Sequence, residues 1–136
     1  MTSRSRARSK QRPVAPPAPE ALRLVAAALA DRKAVDPVVL DLRELTGAAD
    51  YFVIVSGTSD AHVRGMADHL VSDLGPRGVR PHHVEGMSQG RWVLLDYVDF
   101  VVHLFHPELR AFYQLERLWS DAPVVAFGDP GSQGRS

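Results

Sequence analysis

Asp96 and Asp99 are the best-placed carboxylates in the chain for acid–base or metal chemistry. They lie three residues apart across an expected turn. Two-metal sites usually set carboxylates alternately along one strand, so this pair departs from that pattern. A turn aspartate that caps its own backbone explains Asp99 equally well. Six histidines are the other candidate ligands: His62, His69, His82, His83, His103 and His106. His62 and His69 are seven apart on an expected helix, but the HExxH zinc pattern is absent. His82 and His83 are adjacent, so a strand points them to opposite faces. A zinc site needs several converging ligands, and no metal site is expected. Ser56-Gly57-Thr58-Ser59-Asp60 leads from a strand into a helix, a place where phosphate can bind. The chain has neither GxGxxG nor GxxxxGK[ST], so a tight turn with a helix cap is the better reading. Ser56, Thr58 and Ser59 have no partner base evident in the sequence. No catalytic constellation and no cofactor are expected.

These residues depend on a hairpin over residues 92–105. Two strand-length runs, rich in β-branched and aromatic residues, meet at Val98-Asp99. With these two as the loop, Tyr97 faces Phe100, Asp96 Val101, Leu95 Val102, Leu94 His103, Val93 Leu104 and Trp92 Phe105. Alternation puts Val93, Leu95, Tyr97, Phe100, Val102 and Leu104 on one apolar face, the core face. Trp92, Leu94, Asp96, Val101, His103 and Phe105 share the other. Two readings fit that second face. Helices cover it and bond its Asp and His, as in many α/β sheets, or part of it meets another protein. A tryptophan with a charged neighbour is a common interface anchor.

The 136 residues suit one domain, and 45% hydrophobic content can build a core. Cysteine is absent, which excludes a disulfide framework and a thiolate nucleophile. No apolar run reaches the roughly 18 residues of a membrane span, and no secretory leader follows the start. A soluble, cytoplasmic protein is expected. The zero net charge hides an asymmetry: residues 1–19 hold five basic and no acidic residues, the remainder 11 basic and 16 acidic. An acidic domain is a poor binder of DNA or bulk phosphate and suits a basic protein surface. The arm over 1–19 is Arg-, Ser- and Pro-rich and should be disordered. Its charge would add non-specific attraction to RNA.

The spacing predicts a helix over 20–33, with Leu22, Val25, Ala26 and Leu29 on one side, ended by Asp36-Pro37. A short strand over 38–42 and an all-apolar central strand over 50–56 follow. A second helix over 60–74 buries Val63, Met66, Ala67, Leu70 and Leu74. A third strand over 80–85 leads through a Gly86–Gly90 loop into the hairpin. A last helix is expected from Pro107, packing Leu109, Phe112, Tyr113 and the 115–119 stretch. The fold class is therefore α/β, a mixed sheet of about five strands with helices packed on it. The domain is expected over 20–122, with a flexible tail over 123–136.

Several motifs in order carry a resemblance. They are Asp50-Tyr51-Phe52-Val53-Ile54-Val55-Ser56-Gly57-Thr58-Ser59, Ala67-Asp68-His69, Val84-Glu85-Gly86, Trp92-Val93-Leu94-Leu95-Asp96-Tyr97 with Asp99, His103, and Phe112-Tyr113-Gln114-Leu115-Glu116-Arg117-Leu118-Trp119. Together they resemble the ribosomal silencing factor family, also called Iojap-like, over roughly residues 20–123. The resemblance implies a translational repressor and not an enzyme. It would bind ribosomal protein fourteen of the large subunit and block joining of the small subunit, chiefly when nutrients are short. It implies a sandwich of nucleotidyltransferase-like topology without the catalytic carboxylates, and a homodimer. It assigns partner binding to Glu85, Trp92, Leu94, Asp96 and Asp99. A nucleotidyltransferase-like enzyme acting through Asp96 and Asp99 is the alternative. Two positions depart from the family: Val98 and His83 stand where glycine is usual. Valine disfavours a type I′ turn, so a longer or bulged turn is expected at Val98.

Overall fold

The computed structural model describes residues 18–45, 49–109 and 122–125. The elements are α1 (Ala18–Asp31), β1 (Val35–Asp41), β2 (Tyr51–Ser56), α2 (Asp60–Leu74), β3 (His83–Glu85), β4 (Trp92–Asp96), β5 (Phe100–Phe105) and β6 (Val124–Val125), with a 3-10 turn at Gly75–Arg77. One six-stranded sheet runs β3-β4-β5-β2-β1-β6. It is mixed: β2 and β5 are parallel, and the other pairs are antiparallel. The α/β class and the element order through β5 follow the sequence pattern. Of the arm expected over 1–19, residues 1–17 lie outside the described residues, and Ala18 and Pro19 open α1. Of the helix expected from Pro107, residues 107–109 form a turn and the rest lies outside the described residues.

β2 is central because its run Tyr51–Ser56 is apolar on both sides, and its residues are almost all buried. Residues of α1 and α2 pack on one face of the sheet. Val25, Leu29, Val63, Met66, Leu70 and Leu74 meet Val53, Val55, Val93, Leu95, Val102 and Leu104 there. A smaller cluster of Leu40, Leu42, Ile54, Phe105 and Ala122 lies apart from it. No residue of α1 or α2 belongs to that second cluster, so among the described residues these two helices serve one face.

α2 begins at the expected residue because its first turn is capped from both directions. Ser59 Oγ accepts the His62 N–H at 3.0 Å, and His62 Nδ1 accepts the Thr58 N–H at 2.8 Å. The other ring nitrogen of His62 lies 2.6 Å from the Arg32 carbonyl, and His69 lies 3.4 Å from Asp31. Both helix histidines thus tie α2 to the end of α1.

β1 differs from expectation. It starts at Val35, before Pro37, so Asp36-Pro37 lies inside a strand. The register shifts between Val35 and Val38, and Asp36 stands at φ 51°. A bulge absorbs the missing N–H of proline. The third strand is also shorter than expected, since Pro81 cannot donate to the ladder and pairing starts at His83. Val124 and Val125, expected within a flexible tail, pair with Leu40 and Val39 along the outer edge of β1. The Pro123 carbonyl also accepts the Asp41 N–H at 2.9 Å, so residues 123–125 cover the end of an edge that would otherwise offer open backbone groups.

Candidate functional site

The hairpin has the expected register. Trp92 pairs with Phe105, Val93 with Leu104, Leu94 with His103, Leu95 with Val102 and Asp96 with Val101. Residues directly opposite in adjacent strands point to the same side. Glu85 lies opposite Leu94, and His83 opposite Asp96. Glu85, Trp92, Leu94 and Asp96 therefore share the face away from α1 and α2, as do His83 and His103. Val93 and Leu95 are fully buried on the helix side, whereas Trp92 is 42% exposed.

The turn is not lengthened or bulged, contrary to the expectation from Val98. Tyr97 N–H donates to the Phe100 carbonyl, and Asp99 N–H to the Tyr97 carbonyl, each at 2.9 Å. Val98 takes φ 77° to make this loop of two. Asp96 Oδ1 accepts the Val98 N–H at 2.8 Å and so braces it. The carbonyl of Asp99 accepts the N–H groups of Asp50 and Tyr51, which fastens the turn to the start of β2. Asp99 therefore sits at the hairpin tip. Asp96 lies on the face, and Trp92 is four residues further along the strand, about 13 Å away.

Trp92 stands on an aromatic floor. Its ring lies 5.1 Å from Phe105 and 6.0 Å from His103. His103 meets Phe52 edge-on at 4.8 Å and lies parallel to Phe105 at 6.1 Å. The indole N–H donates to His103 Nδ1 at 3.2 Å. Burial pushes the His103 pKa down to about 4, so the ring is neutral near pH 7. Nδ1 accepts, so the ring proton is on Nε2, and that buried atom has no partner among the described residues. Sequence alternation places His103 on this face but gives no sign of its bond to Trp92.

The charged groups on this face differ in freedom. Glu85 pairs with His83 at 2.6 Å, but both side chains are more than half exposed. Such a pair adds little stability and leaves Glu85 open to a stronger cation. Asp96 is partly buried and already accepts one backbone bond. The Gly86–Gly90 loop fixes where β4 begins. Gly86 stands at φ 86°, and a Cβ there would meet the Trp92 carbonyl at 2.0 Å. Any side chain at Gly86 would displace Trp92.

Chemistry is harder to assemble. Among the described residues no three His, Asp or Glu side chains converge as metal ligands. Asp96 braces Val98 with one carboxylate oxygen, while Asp99 fastens β2 through its backbone carbonyl, a bond that leaves its carboxylate uninvolved. No helix among the described residues is long and apolar enough to cross a membrane. The face carries a half-exposed tryptophan at one end of β4, with the carboxylates of Glu85 and Asp96 on the same side of the sheet.

Comparison with known proteins agrees with the motif order. The family model described as "Ribosomal silencing factor during starvation" matches residues 15–135. A Bacillus subtilis protein named "Ribosomal silencing factor RsfS" is 41% identical over 104 residues, covering 76% of this chain and 88% of that one. A crystal structure from Bacillus halodurans superposes with a TM-score of 0.73 at 38% identity, covering 80% of this chain and 99% of that one. Another from Chromobacterium violaceum gives 0.74 at 32% identity, covering 82% and 92%. With the matched sheet carrying the Trp92 face described above, the chain belongs to the ribosomal silencing factor family.

Proposed function

We propose that this protein represses translation by docking on ribosomal protein fourteen of the large subunit, through the outer face of β3, β4 and β5. One observation carries the reading: a tryptophan 42% exposed on a packed aromatic floor, sharing its face with Glu85, Leu94 and Asp96. Exposing so large an apolar side chain favours association, and a central tryptophan is a typical anchor. The acidic residues around it, with Asp99 at the tip, suit a basic partner. The bound chain then occupies space that the small subunit needs. It works by occupancy in the cytoplasm, without turnover, cofactor or metal.

The five basic residues of the arm over 1–19 add non-specific attraction to nearby ribosomal RNA. A homodimer of the free protein belongs to the same proposal, and analytical sedimentation tests it. The test of the main proposal is a density gradient. Purified chain added to separated subunits should lower the fraction of joined ribosomes, and Trp92→Ala chain should lower it less. Unchanged profiles at excess protein, with subunits proven competent to join, would overturn it.

A further inference from the structure

His103 is an unusual residue to find where it is. It is 4% exposed, at the centre of a packed aromatic group, and its Nε2–H finds no hydrogen-bond partner among the described residues. Leucine or phenylalanine would fill the same space without leaving a buried donor orphaned. Filling space is therefore not what distinguishes histidine at this position. What it adds is Nδ1, an acceptor placed 3.2 Å from the indole nitrogen of Trp92.

The geometry around the ring makes that acceptor stiff. Phe52 of β2 meets it edge-on at 4.8 Å, Phe105 of β5 lies parallel to it with 6° between the planes, and Trp92 of β4 leans over both at about 40°. Three strands thus hold one imidazole. The depressed pKa keeps it neutral and Nδ1 free to accept. The only polar atom of the Trp92 side chain is thereby turned inward.

We infer that His103 is a positioning residue: it locks the indole of Trp92 in one orientation, with its N–H consumed inside the protein and only apolar ring edge offered outward. This rests on the reading of Trp92 as the docking side chain. It also defines the chemistry of the partner's socket. The socket is apolar and supplies no acceptor for the indole, while its cations meet Glu85 and Asp96 at the rim. Locking the ring beforehand removes the rotamer entropy that docking would otherwise cost.

The test uses the full chain with Trp119→Phe, so that Trp92 is the only tryptophan. His103→Phe keeps the ring and removes the acceptor. His103→Asn carries an amide oxygen where Nδ1 stands and restores it. Emission and steady-state anisotropy of Trp92 are read in the free protein, melting is recorded for each variant, and affinity for purified ribosomal protein fourteen is measured by calorimetry. His103→Phe should fold, shift the emission maximum, lower the anisotropy and weaken binding about tenfold. His103→Asn should recover most of the anisotropy and affinity. A folded His103→Phe with unchanged emission and anisotropy, or with unchanged affinity, overturns the inference. Should His103→Phe fail to fold, His103→Leu provides the acceptor-free comparison under the same criteria. Unchanged affinity for Trp92→Ala would overturn the docking reading alone, because the spectra of the free chain still decide what His103 does to Trp92.

Discussion

Asp96 Oδ1 accepts the backbone N–H of Val98 at 2.8 Å, and Val98 holds φ 77° in a two-residue turn. A β-branched residue in that region carries strain of about 1–3 kcal/mol. Val98 is 49% exposed, so little packing is lost on truncation. Val98→Gly should therefore stabilise the chain by about 1 kcal/mol, after allowing about 0.5–1 kcal/mol for the greater freedom of glycine in the unfolded state. The thermal midpoint should rise by roughly 3–5 °C. A lower midpoint would show that the turn is relaxed with valine in place.

The same bond separates two roles of Asp96. Asp96→Ala removes both the brace on Val98 and the charge proposed to meet the partner. It should cost about 1 kcal/mol of stability and also weaken binding. Asp96→Asn keeps an oxygen for the Val98 N–H and loses only the charge. It should melt near the parent midpoint yet bind ribosomal protein fourteen about tenfold more weakly, equivalent to about 1.4 kcal/mol. Parent-like affinity for Asp96→Asn would remove this carboxylate from the interface.

Trp92 and Val93 are neighbours in sequence with opposite fates. Val93 is fully buried against the helices, and Val93→Ala should lower stability by roughly 2 kcal/mol. Trp92→Ala should cost binding at least about 2 kcal/mol and leave a cooperative fold, with a smaller loss of stability from its contacts to Phe105 and His103. Calorimetric binding beside circular-dichroism melting reads both effects. An unfolded Trp92→Ala chain together with a silent Val93→Ala would reverse the assignment of faces.

The sheet faces are legible in the sequence because strand period is two: once Val98-Asp99 is the loop, every cross-strand pair follows. The second helix is legible because Ser59-Asp60 caps an apolar stripe. The features that escape are those in which local preference loses to tertiary packing. Valine avoids positive φ, yet the ladders on either side of Val98 and the Asp96 brace impose it. Proline avoids strand interiors, yet the bulge at Asp36 admits Pro37. The environment of His103 is assembled from β2, β4 and β5, so neither spacing nor motif announces it. Face membership of Glu85, Trp92, Leu94 and Asp96 could be read from alternation and strand pairing, but the different work done by each of them could not.

Acid should weaken this fold before its carboxylates titrate, and His103 supplies the reason. Its pKa is pushed from 6.5 down to about 4 by burial. Between those values the unfolded chain binds a proton that the folded chain refuses. Stability therefore rises with pH across this window and falls as pH drops from above 6.5 toward 4. With one pKa unit equal to 1.36 kcal/mol, the loss between pH 7.5 and 4.5 is about 2–3 kcal/mol. Asp41, whose carboxyl is held below its usual range chiefly by its hydrogen bond to Arg43, adds its own loss only at lower pH. His103→Phe binds no proton in either state, so it should lose about 2–3 kcal/mol less than the parent over the same interval. Urea unfolding at pH 7.5, 6.5, 5.5 and 4.5 measures the difference. Parallel pH profiles for parent and variant would show that the imidazole titrates in the folded protein much as it does in the unfolded chain, and that its bond to Trp92 breaks near pH 6.5 instead of near 4.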